Sequence, residues 1–213
     1  MSSPPSTLRL ETFEPIERFR ARIAHDLGTQ LTVIVGYASL LGADGDPHDE
    51  AASREIVSAA EHLSAALADL ELVLGLASGA IEARPEHVDL RAIADAAVVQ
   101  VRRRGEHPLD EPSGSCWPKA YADPRHLARA LRQVVTTACE RASAGARISV
   151  APAGEADAAA LQVAGADLTE IIETDLRLVL ARTLLELGGG SLEFEGDVAT
   201  IRVPLAARQA TAA

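Results

Sequence analysis

Residues 16–41, IERFRARIAHDLGTQLTVIVGYASLL, decide the fold, because their apolar side chains recur at steps of three and four. This spacing places those side chains on one face of an α-helix. Thr12 is a candidate amino-terminal cap. The segment 42–50, GADGDPHDE, is rich in turn-forming residues and is expected to end the helix. The apolar face comprises Ile16, Phe19, Ile23, Leu27, Leu31, Ile34, Ala38 and Leu41.

A second helical stripe follows this turn and ends at Ser78-Gly79. Two long helices joined by a short segment predict an antiparallel hairpin. One hairpin has too little other apolar surface to cover its own seam, so we expect two copies of the chain to form a homodimer through a four-helix bundle. The alternative is that the carboxy-terminal half of the same chain covers the seam. The second stripe comprises Ile56, Ala60, Leu63, Leu67, Leu70, Leu74 and Ala77.

The remaining sequence predicts the α+β class, because helices are followed by paired strands that can form a sandwich. Residues 80–88 are expected to be a connector, and Asp89 is expected to cap a helix that ends before Gly105. The later elements are expected as strands at 119–122, 147–151 and 159–163, helices at 124–142 and 169–187, and a strand pair at 191–196 and 199–205. The predicted organisation is a flexible tail at 1–11, a helical hairpin at 12–80, a sandwich domain at 85–206 and a tail at 207–213.

Composition excludes several classes of function. The formal net charge of −11 argues against nucleic acid, whose phosphates require clustered Lys and Arg. Cys116 and Cys139 have neither a disulfide pattern nor metal-ligand spacing, so no metal site is predicted. The first 15 residues lack a signal-peptide pattern, and no apolar stretch reaches the roughly 18–20 residues of a membrane span. We therefore expect a cytoplasmic protein that does not contact a membrane.

His25 is the candidate catalytic residue of the first helix. It lies two positions after Ile23, about 200° around the helix, and is therefore expected to face water. An imidazole with an ordinary pKa of about 6.5 is largely neutral at pH 7 and is a competent nucleophile towards phosphorus. Asp26 can orient the ring, and Thr29 lies one turn further along the same face.

His25-Asp26-Leu27, with Thr29 and Leu31, resembles the H-box of the sensor histidine kinases, although Gln30 stands where that family usually has Pro. The second helix resembles the family's return helix, and Val88-Asp89-Leu90 resembles the entry to its ATPase domain. The resemblance implies that His25 is the phosphoacceptor. It also implies that Asp26 assists transfer and that Thr29 positions water during dephosphorylation.

The second half resembles the family's ATP-binding domain only in outline. Thr137 stands where the family has the Asn that holds magnesium, and no DxGxG pattern occurs at 161–170. The glycine-rich phosphate loop is replaced by Asp175-Leu176-Arg177-Leu178, where Asp175 would repel a triphosphate. The expected domain is therefore a degenerate ATPase-like domain without a cofactor, and magnesium is expected only in a partner.

The leading hypothesis is a histidine phosphotransfer protein that passes phosphoryl groups between aspartates of response-regulator receiver domains through His25. A hybrid sensor kinase is a further candidate partner. A receiver is expected to contact Thr32, Val33, Gly36 and Tyr37 beside the site. Two alternatives remain open: a receiver phosphatase that uses Thr29 and Asp26, and a non-catalytic pseudokinase adaptor. The sequence therefore leaves open whether the chain is a phosphotransferase enzyme, but it does not predict an ATP-dependent autokinase.

Overall fold

The computed structural model describes residues 27–38, 49–77, 79–103, 108–154, 157–171 and 173–206. The chain divides into two compact units, Met1–Ile81 and Glu82–Ala213. The tails predicted at 1–11 and 207–213, the predicted cap Thr12 and residues 42–48 of the turn predicted at 42–50 lie outside the described residues. The last two residues of that predicted turn, Asp49 and Glu50, belong instead to a helix.

Unit 1 contains two described helices, α1 over residues 27–38 and α2 over Asp49–Ala77. Both helices were predicted. Only part of the apolar surface of α2 is buried: Leu67 and Leu74, two members of the predicted stripe, are 47% and 56% exposed. The buried apolar positions of α2 are Ala52, Ala59, Leu72, Val73 and Leu76.

The predicted end of α2 is confirmed, and its cause is a left-handed glycine. Gly79 has a φ of 68° and donates its N–H to the Leu76 carbonyl at 3.1 Å, while the N–H of Ala80 donates to the Gly75 carbonyl at 3.0 Å. These bonds satisfy carbonyls that the ending helix would leave unpaired. A side chain at Gly75 would lie 2.6 Å from Cδ1 of Ile81, so this glycine allows close packing after the turn.

Unit 2 contains two antiparallel sheets. β1 (Glu86–Asp89) pairs with β2 (Lys119–Ala122), and the larger sheet has the order β3-β4-β6-β5. The connector predicted at 80–88 is therefore wrong over residues 86–88, because Val88 is buried opposite Ala120 in a strand pair. The larger sheet comprises β3 (Ser149–Ala153), β4 (Ala158–Ala164), β5 (Ser191–Glu195) and β6 (Val198–Pro204).

Three helices of unit 2 begin at an aspartate cap. Asp89 precedes α3 (Leu90–Arg102), Asp123 precedes α4 (Pro124–Arg141), and Asp175 precedes α5 (Leu176–Leu187). Each side chain accepts backbone N–H groups of the first turn, which is the usual chemistry of an N-cap.

The helix predicted at 169–187 is wrong at its start. Residues Thr169–Ile171 form a separate 3₁₀ turn, and α5 begins only after Asp175. The helices pack on the larger sheet around one apolar core, which confirms an α+β arrangement. Its largest fully buried side chains include Leu90, Leu109, Leu127, Leu131, Ile148, Leu161, Leu168, Leu178 and Ile201.

Candidate functional site

His25 and Asp26 lie outside the described residues, and the structure describes the helix that follows them. Thr29 is exposed on α1, one turn after the position of His25. Gly28 is also exposed, and a Cβ added there would meet nothing within 4 Å. The described start of α1 is therefore open to an approaching molecule.

The four residues predicted to contact a receiver lie on two adjacent rows of α1. Thr32 and Gly36 form an exposed row, while Val33 and Tyr37 are half-buried. The Thr32 hydroxyl donates to the Gly28 carbonyl at 2.9 Å, so its polar group is turned back to the helix. This part of α1 presents small and apolar groups to solvent, including Leu31 and Val35, which are 53% and 58% exposed.

A second candidate site lies in unit 2, where the end of α4 meets the start of α5. Thr137 on α4 is completely buried, and its hydroxyl has no hydrogen-bond partner among the residues that the structure describes. Glu140 follows three residues later, in the last turn of α4. Thr137, which stands where the resembled family has a magnesium-holding Asn, therefore places a hydroxyl group in the interior of unit 2.

Asp175 occupies the amino-terminal end of α5. Its carboxylate accepts the N–H of Arg177 at 2.9 Å, and the residue is only 7% exposed. At the position where the sequence predicts that the glycine-rich loop is replaced, Asp175 therefore caps α5. A carboxylate of the chain itself satisfies an N–H group at the positive end of the helix dipole.

Arg177 joins the two helices through its guanidinium group. Nη1 donates to Oε1 of Glu140 at 2.8 Å and Nη2 donates to Oε2 at 2.5 Å, a two-pronged contact. Nη2 also lies 3.5 Å from Oδ2 of Asp175. Burial opposes the charged guanidinium, but its hydrogen bond to Glu140 and the charges of Asp175 and Glu140 outweigh burial and raise the pKa of Arg177. We call Glu140, Asp175 and Arg177 the α4–α5 clamp.

Asp175 and Arg177 were identified from the sequence, but their contact with Glu140 was not predicted, because Glu140 is 37 residues away from Arg177. One signal was present. Glu140 is an acid in the last turn of a helix and Arg177 is a base in a first turn, so each is disfavoured by the dipole of its own helix. Two such misplaced opposite charges indicate mutual pairing.

Asp123, directly before α4, is a second polar centre of unit 2. Its buried carboxylate accepts N–H groups from Arg84 at 2.9 Å, Arg125 at 2.9 Å and His126 at 3.2 Å. Burial alone would raise the pKa of Asp123, but these hydrogen bonds, together with the charge of His126, lower it. Asp123 therefore fastens the segment before β1 to the start of α4.

Within the described ranges, no three or more His, Cys, Asp or Glu side chains form a group that could hold a metal ion. Among the helices that the structure describes, none is both long enough and apolar enough to cross a membrane.

No protein-family model matches the sequence. No curated protein is detectably similar to it. Several solved structures share its fold. Histidine kinase AdeS of Acinetobacter baumannii is 18% identical, with a TM-score of 0.67 over 85% of this chain and 98% of that chain. Histidine kinase ThkA, solved in complex with response regulator protein TrrA, is also 18% identical, with a TM-score of 0.67 over 93% of this chain and 64% of that chain.

The cytoplasmic segment of histidine kinase QseC is 14% identical, with a TM-score of 0.50 over 65% of this chain and 93% of that chain. The likenesses to AdeS and ThkA extend beyond the length of unit 2 alone. The chain therefore has a histidine-kinase-like α+β fold that includes residues of both units.

Proposed function

We propose that this protein is a histidine phosphotransfer protein of a two-component phosphorelay, which passes phosphoryl groups between receiver-domain aspartates through His25 without using ATP. The proposal rests on two features found together. The fold is like that of histidine kinases, and the carboxylates of the α4–α5 clamp occupy the start of α5. The first feature supports phosphohistidine chemistry, and the second indicates that the phosphate is supplied by another protein.

The side chains around the α4–α5 clamp do not fit a nucleotide triphosphate with magnesium. Asp175 and Glu140 would place carboxylates beside the phosphates, and like charges repel strongly when partly removed from water. The hydroxyl of Thr137 is wholly enclosed and cannot reach an ion without rearrangement of α4. We therefore assign no cofactor to this chain, and magnesium belongs to the partner receiver.

The proposed transfer needs only a positioned nucleophile from this protein. A ring nitrogen of His25 attacks the phosphorus of the receiver's acyl phosphate. The phosphorus–oxygen bond breaks, and the receiver's aspartate leaves as a carboxylate with the electron pair. Asp26 orients the imidazole in this scheme. The open surface at Gly28 and the exposed Thr29 leave room for the receiver's phosphoryl group.

The proposed partner is a receiver domain that docks on α1 across Thr32, Val33, Gly36 and Tyr37. ThkA was solved with a response regulator, which supports the same class of partner for a chain of this fold. We also propose that the protein forms a homodimer. Leu67 and Leu74 expose apolar surface on α2, and pairing two copies in a four-helix bundle removes such surface from water.

The deciding experiment follows radiolabelled phosphate from phosphorylated receiver domains to this protein. We expect the wild type to acquire label and His25→Ala to acquire none, while Thr29→Ala still accepts label. Incubation with labelled ATP and magnesium should label neither the wild type nor His25→Ala. Label on His25→Ala, or label from ATP, contradicts the proposal.

The same assay separates the two alternatives. Faster loss of receiver phosphate without label on this protein, abolished by Thr29→Ala, would indicate the phosphatase. Binding of the receiver without transfer or decay would indicate the adaptor. Either outcome overturns phosphotransfer.

A further inference from the structure

The α4–α5 clamp pairs two charges that are each misplaced on their own helix. Glu140 lies in the last turn of α4, where the helix dipole favours a cation, and Arg177 lies in the first turn of α5, where it favours an anion. Their bidentate contact, with distances of 2.8 and 2.5 Å, compensates both unfavourable positions at once. The pair is therefore more than two independent surface residues.

Burial separates this contact from an ordinary surface ion pair. The side chain of Arg177 is 30% exposed and that of Asp175 only 8%. The side chain of Glu140 is 45% exposed and lies on the solvent side of the contact. Solvent screens the attraction less in such a partly enclosed position. The clamp therefore holds its geometry at the point where α5 begins.

The start of a helix ordinarily attracts anions, because its unpaired N–H groups and its dipole favour negative charge. In α5 that place is taken by the carboxylate of Asp175, which accepts the N–H of Arg177 at 2.9 Å. Glu140 neutralises the guanidinium that an incoming anion would otherwise contact. Both cationic features are thus already satisfied by the chain's own carboxylates.

We propose that the α4–α5 clamp is a built-in lock, in which Asp175 and Glu140 take the place of a phosphate ligand and close the start of α5 to anions. This inference deepens the ATP-independent part of the proposed function and rests on it. It adds that the chain's own carboxylates close the start of α5 to anions, and that loss of their charge would open it. Removing the two negative charges, and nothing else, should turn the lock into an anion site.

The test compares thermal unfolding of the full chain with and without inorganic pyrophosphate at millimolar concentration. Glu140→Gln combined with Asp175→Asn keeps the shapes of both side chains, and Asn caps helices as well as Asp does. We expect pyrophosphate to leave the Tm of the wild type unchanged. It should raise the Tm of the double variant by about 3–6 °C at ten times the dissociation constant.

Two control variants make the result specific. Adding Arg177→Leu to the double variant should abolish the rise, because the freed guanidinium is then absent. Glu173→Gln removes a carboxylate that lies two residues before Asp175 but pairs with Arg182, further along α5, at 2.8 Å instead of with Arg177. This variant should gain no response to pyrophosphate.

A rise in the Tm of the wild type equal to that of the double variant would show that the start of α5 is open, and would overturn the lock. A folded double variant that does not respond would also overturn it. If the double variant does not fold, Asp175→Asn alone is expected to respond more weakly, and no response from it counts against the lock. Transfer of label from a receiver to His25 is measured separately, so the lock can fail while phosphotransfer stands.

Discussion

Thr137 is a buried polar residue of α4 whose hydroxyl group is unsatisfied within the part of the chain that the structure describes. It lies in α4 between Thr136 and Ala138, is completely buried, and has a hydroxyl with no hydrogen-bond partner among the described residues. An unsatisfied buried polar group destabilises a protein by about 1–3 kcal/mol. The hydroxyl therefore works against the stability of unit 2.

Thr137→Val should stabilise the protein, because it replaces the unsatisfied hydroxyl with a methyl group of nearly the same size. We expect the free energy of unfolding to rise by about 1 kcal/mol. Urea denaturation followed by circular dichroism measures this change. Val135→Thr is the matched control, since Val135 is also completely buried in α4, and it should lower the free energy of unfolding. A destabilised Thr137→Val variant would show that the hydroxyl has a required partner.

Asp123→Asn should destabilise the protein by about 1–3 kcal/mol, because an amide cannot accept all the N–H groups that the carboxylate accepts from Arg84, Arg125 and His126. Asp157→Asn is the control, since Asp157 is exposed just before β4 and should have almost no effect. Urea denaturation of the three proteins at pH 7 measures the difference.

The effect of Asp123 should also depend on pH. The pKa of Asp123 is lowered on folding from its ordinary value of 3.8, so its contribution to stability is present above that value. The contribution is lost as the pH falls through the lowered pKa of the folded protein. The difference in stability between wild type and Asp123→Asn should therefore shrink in this acidic range. A difference that stays constant from pH 7 down to pH 2 contradicts this role.

At the scale of elements, the sequence predicted what short-range chemistry determines. The start of α3 was predicted from Asp89, an aspartate directly before a helical pattern, and α4 was predicted to begin at 124, directly after Asp123. The end of α2 was predicted from Gly79, which adopts a positive φ. In each case the deciding residue is a neighbour in the sequence.

Several features that depend on distant residues were predicted wrongly or not at all. β1 has four residues with only Val88 buried, so no alternation was visible until β2 paired with it. α5 was predicted to begin too early, because Thr169 and Glu170 are compatible with a helix while Asp175 caps a later one. The clamp likewise depends on the packing of α4 against α5. Within the first candidate site, the structure describes Thr29 and the α1 surface, and the roles of His25 and Asp26 remain predictions.

Gly165→Ala should strongly destabilise the junction that follows β4. Gly165 has a φ of 113°, and a Cβ there would lie 2.3 Å from the carbonyl oxygen of Arg147. Strain of this kind costs about 1–3 kcal/mol before the clash is relieved. Gly154→Ala is the control, because its added Cβ would meet nothing within 4 Å. Thermal unfolding should show a large fall in Tm for the first variant and little change for the second, and equal Tm values would contradict this account.

At the scale of the whole molecule, the proposed homodimer would pair two copies of unit 1. Leu67 and Leu74 lie one heptad apart on α2 and are both about half exposed. Apolar side chains repeated at this spacing form a continuous stripe along a helix. A second copy of the chain would provide a surface of the same character, and a closed two-fold pairing would cover both stripes.

We expect the wild type to be a dimer and Leu67→Glu combined with Leu74→Glu to be a monomer, because four carboxylates would enter the apolar interface of the proposed bundle. Light scattering after size-exclusion chromatography measures the mass directly. Leu205→Glu is the control: Leu205 is 40% exposed in unit 2 and should leave the dimer intact. A monomeric wild type at micromolar concentration would contradict the proposed bundle. A dimeric double variant would place the interface away from this face of α2.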